Sequence, residues 1–221
     1  MRARHLLAVA ILLASCSTQP KTTAGLAGQV PLHPATDNPL GSPLVYRAPD
    51  IDMARYHGIH VAAATVYQGA EAEWGGTDAA QRQRVADALT EDFRRVLRER
   101  GRNVVAAPAA GIVTLQLQLA GITPTRGVVA NALKLTPVGA GVTLLKSAAG
   151  LPASFTGSIT VAGLLTDSTT AAVLGGFVAT ESPLALDPRS IGGTESTALI
   201  AAAKGAQDFA DALDRLRKPG Q

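Results

Sequence analysis

Cys16 is the only thiol in a chain of 221 residues, and it closes the stretch Leu13-Ala14-Ser15-Cys16 at the end of an apolar run. With no second cysteine it has no intrachain disulfide partner, so modification of the sulfur is its chemistry. The other side chains that could react are scattered. His57 and His60 are three apart beside Tyr56; on a strand that spacing puts them on opposite faces, where they cannot share a metal. His33 lies in a polar stretch and reads as solvated. Glu71 and Glu73 are two apart beside Trp74, and paired carboxylates can exchange protons with a substrate. A solvated loop around a part-buried aromatic is the plainer reading. No Gly-x-Ser-x-Gly elbow occurs. Gly139-Ala140-Gly141 and Gly175-Gly176 lack the strand-glycine-helix setting of a phosphate cradle. Gly192-Gly193 precedes a predicted helix, but Glu195 in its first turn would repel an anion. Asp167 reads as a turn former. These residues predict no catalytic centre, no metal and no cofactor.

Cys16 is different because of what precedes it. Arg2 and Arg4 give a positive start, Leu6 to Leu13 form an apolar core too short to span a bilayer, and two small residues precede the cysteine. This is the layout of a secretory leader, and its spacing resembles the bacterial lipobox. The resemblance implies cleavage before Cys16, a diacylglycerol thioether on its sulfur and an acylated new amino terminus. Several acyl chains on one residue exceed the two-signal threshold for stable anchoring. Ser17, rather than Asp, follows the cysteine, which points to the outer membrane and a periplasm-facing domain.

Lys and Arg number 20 and Asp and Glu 17, for a net charge of +3; removing Arg2 and Arg4 with the leader lowers it to +1. No basic stripe with interleaved aromatics appears, so no nucleic-acid partner is expected. Hydrophobic residues make up 47% of the chain, enough for a globular core that must hold by packing without disulfides. The expected organisation is a leader over 1–15, a lipidated amino terminus and flexible tether over 16–44, and one domain over 45–218.

Elements that would position these groups follow from periodicity. His57 to Gln68 alternates as a buried strand. Asp78, three residues before Gln81, sets a capping box, and Val85, Leu89, Phe93 and Val96/Leu97 follow at helical spacing up to Gly101. Val104-Val105 reads as a short strand. Val113, Leu115, Leu117 and Leu119 alternate with Thr114, Gln116 and Gln118, a half-exposed strand suited to antiparallel pairing. Phe155 to Thr166 and Val173 to Ala179 form a hairpin around Asp167-Ser168-Thr169-Thr170. Pro183 to Gly193 reads as a loop, and a helix runs from Thr194 to Arg217. The expected fold is α/β of the α+β type, two helices on one face of a mixed or antiparallel sheet of about four to six strands.

Gly127 to Gly150 stands apart, because only Lys134 and Lys146 are charged in it. Three readings stay open: a core-covering element, an apolar surface for a partner or for self-association, or a membrane contact. Val128, Val129, Leu133, Leu135, Val142, Leu144 and Leu145 are the candidate interaction surface.

From about Tyr46 to Arg217 the order of landmarks resembles an uncharacterised bacterial lipoprotein family catalogued as domain of unknown function 3313. The matching pieces are Tyr56 to Val61, Val113 to Leu119, Asn131 with Pro137, Phe155-x-Gly157-Ser158 and Asp167-Ser168-Thr169. The chain departs where the family often has a glutamate after a strand valine, since Ala162 follows Val161 here. It also has Thr169-Thr170-Ala171 in place of Thr-Gly-Glu. The family has no agreed activity, so the resemblance implies location and fold. The expected role is a non-catalytic, lipid-anchored module that meets an envelope protein or a second copy of itself. The alternative is a binding module for a lipid or other apolar ligand between the 127–150 segment and the sheet. An enzyme is the third reading, with Glu71, Glu73 or His57 as acid-base groups.

Overall fold

The computed structural model describes residues 25–35, 43–70, 72–124, 157–183 and 193–217. Among these, eight strands form one mixed sheet and two long helices pack on it. The strands are β1 (His33–Pro34), β2 (Leu44–Arg47), β3 (Gly58–Val61), β4 (Thr65–Val66), β5 (Val104–Val105), β6 (Ile112–Thr123), β7 (Ser158–Asp167) and β8 (Val173–Glu181). The helices are α1 (Ala79–Glu99) and α2 (Thr194–Arg217). The sheet order is β1-β2-β8-β7-β6-β3-β5, with β4 also on β6. The α+β class holds; the sheet has more strands than the four to six expected. Alternation cannot reveal β1, which is two residues long, whereas β4 falls within the expected His57–Gln68 strand.

α1 forms where its ends are signalled. Asp78 accepts from the Gln81 N–H at 2.8 Å while Gln81 Oε1 accepts from the Asp78 N–H at 2.8 Å. At the other end Gly101 takes φ +71°, the Gly101 N–H reaches Arg98 O, and the Arg102 N–H reaches Leu97 O. That pair of bonds is a Schellman closure, and its left-handed residue favours glycine. Both helices cover one face of the sheet. Val85, Leu89, Phe93 and Leu97 of α1 and Ala198, Ala201, Ala202, Ala206 and Ala210 of α2 join Val61, Leu115, Leu117, Leu119, Ile159 and Val161 in one core. The small residues of α2 let the helices approach closely. Phe209 bridges them to β8, its ring 5.3 Å from Phe93 and 5.4 Å from Phe177.

β6 is antiparallel to β7 on one side, as its alternation suggests, and parallel to β3 and β4 on the other. A bulge between Leu119 and Gly121 resets its phase, so Leu119 and Ile122 both reach the core although three apart.

Two expectations need correction. The continuous strand from His57 to Gln68 is split into β3 and β4 by Ala62–Ala64. The break is held from α1: Thr90 Oγ1 accepts from the buried Ala64 N–H at 2.8 Å, and Arg94 donates twice to Val61 O. Ala64 therefore turns into the core and Ala63 is exposed, the reverse of unbroken alternation. The second correction concerns the tether. Leu26–Gln29 form a short 3-10 helix on the sheet face opposite α1 and α2, and β1 pairs with β2. Ala27 is only 5% exposed, against Leu44, Ala162 and Val178, with Leu26 and Leu32 beside them. Residues of the stretch expected to be a tether are thus packed, because β7 and β8 offer them an apolar strip.

Candidate functional site

The two faces of the sheet carry different side chains because β6 alternates. Its leucines enter the core, and Thr114, Gln116 and Gln118 point to the opposite face. There the 3-10 helix lies across the sheet as a strap. Gln118 Oε1 accepts from the Leu26 N–H at 3.0 Å and latches it. Between the strap and β3 is a groove of 360 Å³ lined by Leu26, His60, Ala62, Thr65, Thr114 and Gln116 among others. Pro108 and Ala63 complete its apolar walls. Among the described residues its lining carries no Asp, Glu, Lys or Arg, and His60 is the one titratable group there. His60 Nδ1 lies 3.4 Å from Val105 O, a long contact.

Thr114, one of the groove-lining residues, also reaches the β7–β8 turn. Thr114 Oγ1 and Ser168 Oγ share a hydrogen bond of 2.7 Å. Asp167 Oδ1 accepts from the Thr169 and Thr170 N–H groups, each at 2.8 Å, and Asp167 Oδ2 accepts from Tyr56 Oη at 2.9 Å. The Thr170 and Thr169 N–H groups, then the Tyr56 hydroxyl, hold the Asp167 carboxyl down at about 2. Burial and the Asp167 partner push the Tyr56 hydroxyl up. Asp167 is thus the turn former its sequence setting suggests, an ionised acceptor already occupied. Ser168 faces a second hydroxyl. The hydroxyls and amides of this turn are paired with one another and with Asp167.

The helix face has its own charged rim. Glu195 accepts from Arg84 at 2.6 and 3.1 Å and from Gln81 at 3.1 Å, joining α2 to α1. Asp214 meets Arg100 and Arg102, and Asp211 meets Arg100 at 2.6 Å. Glu195, expected only to repel an anion, is an inter-helix tie. Glu181, at the end of β8, is mostly buried beside Lys204, which also pairs with Asp208. Burial raises the Glu181 carboxyl to about 7, since Lys204 is shared between two carboxylates. No local pattern signals this trio, whose members come from a strand end and a helix.

The remaining expected residues divide as follows. Cys16, Val128, Val129, Leu133, Leu135, Val142, Leu144, Leu145 and Glu71 lie outside the described residues. The described strands on either side of the 127–150 stretch are neighbours, and Thr123 pairs with Ser158. His57 is exposed ahead of β3, whereas His60 lies within it. Trp74 packs half-buried on the core with the Arg82 guanidinium 5.0 Å above its ring. Among the described residues no group of three His, Cys, Asp or Glu side chains could hold a metal. No described helix is long and apolar enough to cross a membrane.

A family model described as a protein of unknown function, DUF3313, matches residues 23–213. The chain belongs to the DUF3313 family. The match takes in the strap as well as the sheet, all of α1 and most of α2, so the DUF3313 unit starts upstream of Tyr46. No curated protein matches the chain. Solved structures similar to this DUF3313 chain include two of PelC dodecamers from Paraburkholderia phytofirmans. One, of a substituted PelC, is 16% identical with a TM-score of 0.41 and covers 73% of this chain and 92% of its own. The other is 15% identical with a TM-score of 0.38 and covers 72% and 93%.

Proposed function

We propose that this DUF3313 protein is a lipid-anchored envelope protein that works as a non-catalytic interaction or assembly module. Cys16 carries the lipid, the domain faces the periplasm from the outer membrane, and the partner is an envelope protein or a second copy of the chain. The observation that carries the reading is the contrast between the sheet faces. One is sealed by two helices; the other keeps an uncharged groove floored by His60, Thr114 and Gln116. Such a surface offers hydrogen bonds and apolar walls to a docking segment with little charge to desolvate.

Two experiments test the two parts. Cells fed an alkyne fatty acid should label the wild-type chain and not Cys16→Ala, which should leave the membrane fraction; equal labelling overturns the anchor. Photo-crosslinkers at Gln116 and Leu144 in intact envelopes should give a discrete adduct. No adduct at either position, with a monomer in detergent, overturns the module. The apolar groove walls Leu26, Ala62 and Pro108 favour a second reading, a binding module for a small apolar ligand. Native mass spectrometry of the purified domain separates the two: a copurified ligand supports the second reading, and a consistently empty protein removes it.

A further inference from the structure

We infer that the groove takes an uncharged segment of a partner protein, rich in glycine and small aliphatic residues, which lies beside the strap and is gripped by Gln116 as the strap is gripped by Gln118. This rests on the interaction reading proposed above and names the chemistry of the partner. The strap is the molecule's own specimen of a chain docked on this face. Residues 25–35 contain no Asp, Glu, Lys or Arg. Gln118 Oε1 accepts from the Leu26 N–H at 3.0 Å. Gly25 permits that approach, because a Cβ there would overlap Gln118 Oε1. Ala27 is buried against Ala162 and Val178, and a Cβ on Gly176 would crowd Val30. Small residues on both surfaces thus bring a backbone within reach of a side-chain amide.

The groove repeats this chemistry one step along β6. Gln116 and Gln118 share a face two residues apart, about 6.6 Å at the rise of a strand. Hydrogen-bonded chains lie about 4.7–4.9 Å apart, so a second segment fits abreast of the strap. Leu26 belongs to the strap and lines the groove, which makes the two contacts continuous. Gln116 is half-buried and has no hydrogen-bond partner among the described residues. Its amide offers an acceptor and donors, which match the N–H and C=O of a passing backbone. Strand addition at the nearby edge is blocked, because Arg94 holds Val61 O and Thr90 holds the Ala64 N–H. The walls Ala62, Ala63 and Pro108 are small and apolar, and the lining carries no ionised carboxylate, ammonium or guanidinium. A charged segment would lose hydration there without gaining an ion pair. The strap of a second copy is not the occupant, since Gln118 and the strip around Ala162 hold it on its own sheet.

The test uses the full chain in intact envelopes, with a photo-crosslinker in place of Thr65, which is exposed and lines the groove. It should give a discrete adduct with another protein. Mass spectrometry of the digested adduct should place the attachment in a run free of Asp, Glu, Lys and Arg. Gln116→Ala should lower the yield about threefold to tenfold, the loss of one hydrogen bond. Its thermal midpoint should stay nearly unchanged, because the Gln116 side chain bonds to nothing among the described residues. Ala63→Asp, which sets a carboxylate on the wall, should also lower the yield. An undiminished yield in Gln116→Ala, or a rise in Ala63→Asp such as a basic segment would give, overturns the proposal. So does an adduct formed only with lipid or only with another copy of this chain. No adduct from residue 65, where a crosslinker at Leu144 gives one, overturns docking in the groove and leaves the interaction reading standing. No adduct at either position overturns both.

Discussion

The two faces of the sheet are built by unlike means. The helix face is a deep apolar core in which Leu89, Leu115 and Leu119 are fully buried, and its edges are tied by ion pairs between α1 and α2. The opposite face has Ala27, Leu44, Ala162 and Val178 as its apolar patch, one amide latch and an open groove. The same strands serve both, since side chains alternate along them. The large buried core is concentrated on one side, and a smaller, more weakly held patch lies on the other.

The largest effect should come from the deep side. Phe93→Ala removes a 2%-exposed ring that touches Phe209 and should cost about 3–5 kcal/mol. Leu26→Ala, on the half-buried strap, should cost about 1–2 kcal/mol. Denaturant midpoints of the two variants measure the asymmetry directly. Equal losses would break it.

The next effect tests the rim of the helix face. The folded Glu181 carboxyl is raised by burial to about 7 from an ordinary 4.5. Between those values the folded state keeps a proton that the unfolded chain has released. Stability should therefore fall as pH rises from about 4.5 to 7 and level off above it. Glu181→Gln should flatten that decline in thermal melts across the same range. An unchanged slope would mean that the trio with Lys204 and Asp208 does not couple folding to pH.

Legibility in the sequence follows the distance over which a signal acts. α1 is legible because Asp78, Gln81, the apolar spacing and Gly101 all lie within it or at its ends. The Asp167 turn is legible for the same reason. The strap is not: residues 25–35 hold few large apolar side chains, and Ala27 is buried only because β7 and β8 present Ala162 and Val178 beneath it. The gap between β3 and β4 is hidden because Thr90 and Arg94, on α1, supply the bonds that make it. The groove is half legible. Thr114, Gln116 and Gln118 mark a polar strand face, but nothing nearby in sequence indicates that Leu26 walls it. Cys16 and the 127–150 candidates lie outside the described residues.

A smaller effect sharpens the core side. Gly163 lies opposite Phe177, and a Cβ there would overlap the Phe177 ring. Gly163→Ala should cost about 1–3 kcal/mol by overpacking, read from denaturant unfolding. Phe177→Leu in the same chain should recover part of the loss if the clash is the cause. Failure of that rescue would place the cost in the backbone.

The smallest effect bears most on function. Gln118→Ala removes the acceptor for the Leu26 N–H and should cost about 1 kcal/mol in global stability. Its larger consequence should be local. Hydrogen exchange should quicken at Leu26 and Gly28, whose amides belong to the strap, while the Ala64 amide, bonded to Thr90 inside the core, keeps its protection. That split would show the two faces opening independently, as expected if one holds the fold and the other meets a partner. Faster exchange at Ala64 as well would mean that the strap and the helix core unfold as one unit. The open face would then be part of the stability of the domain, with no freedom of its own to rearrange around a bound segment.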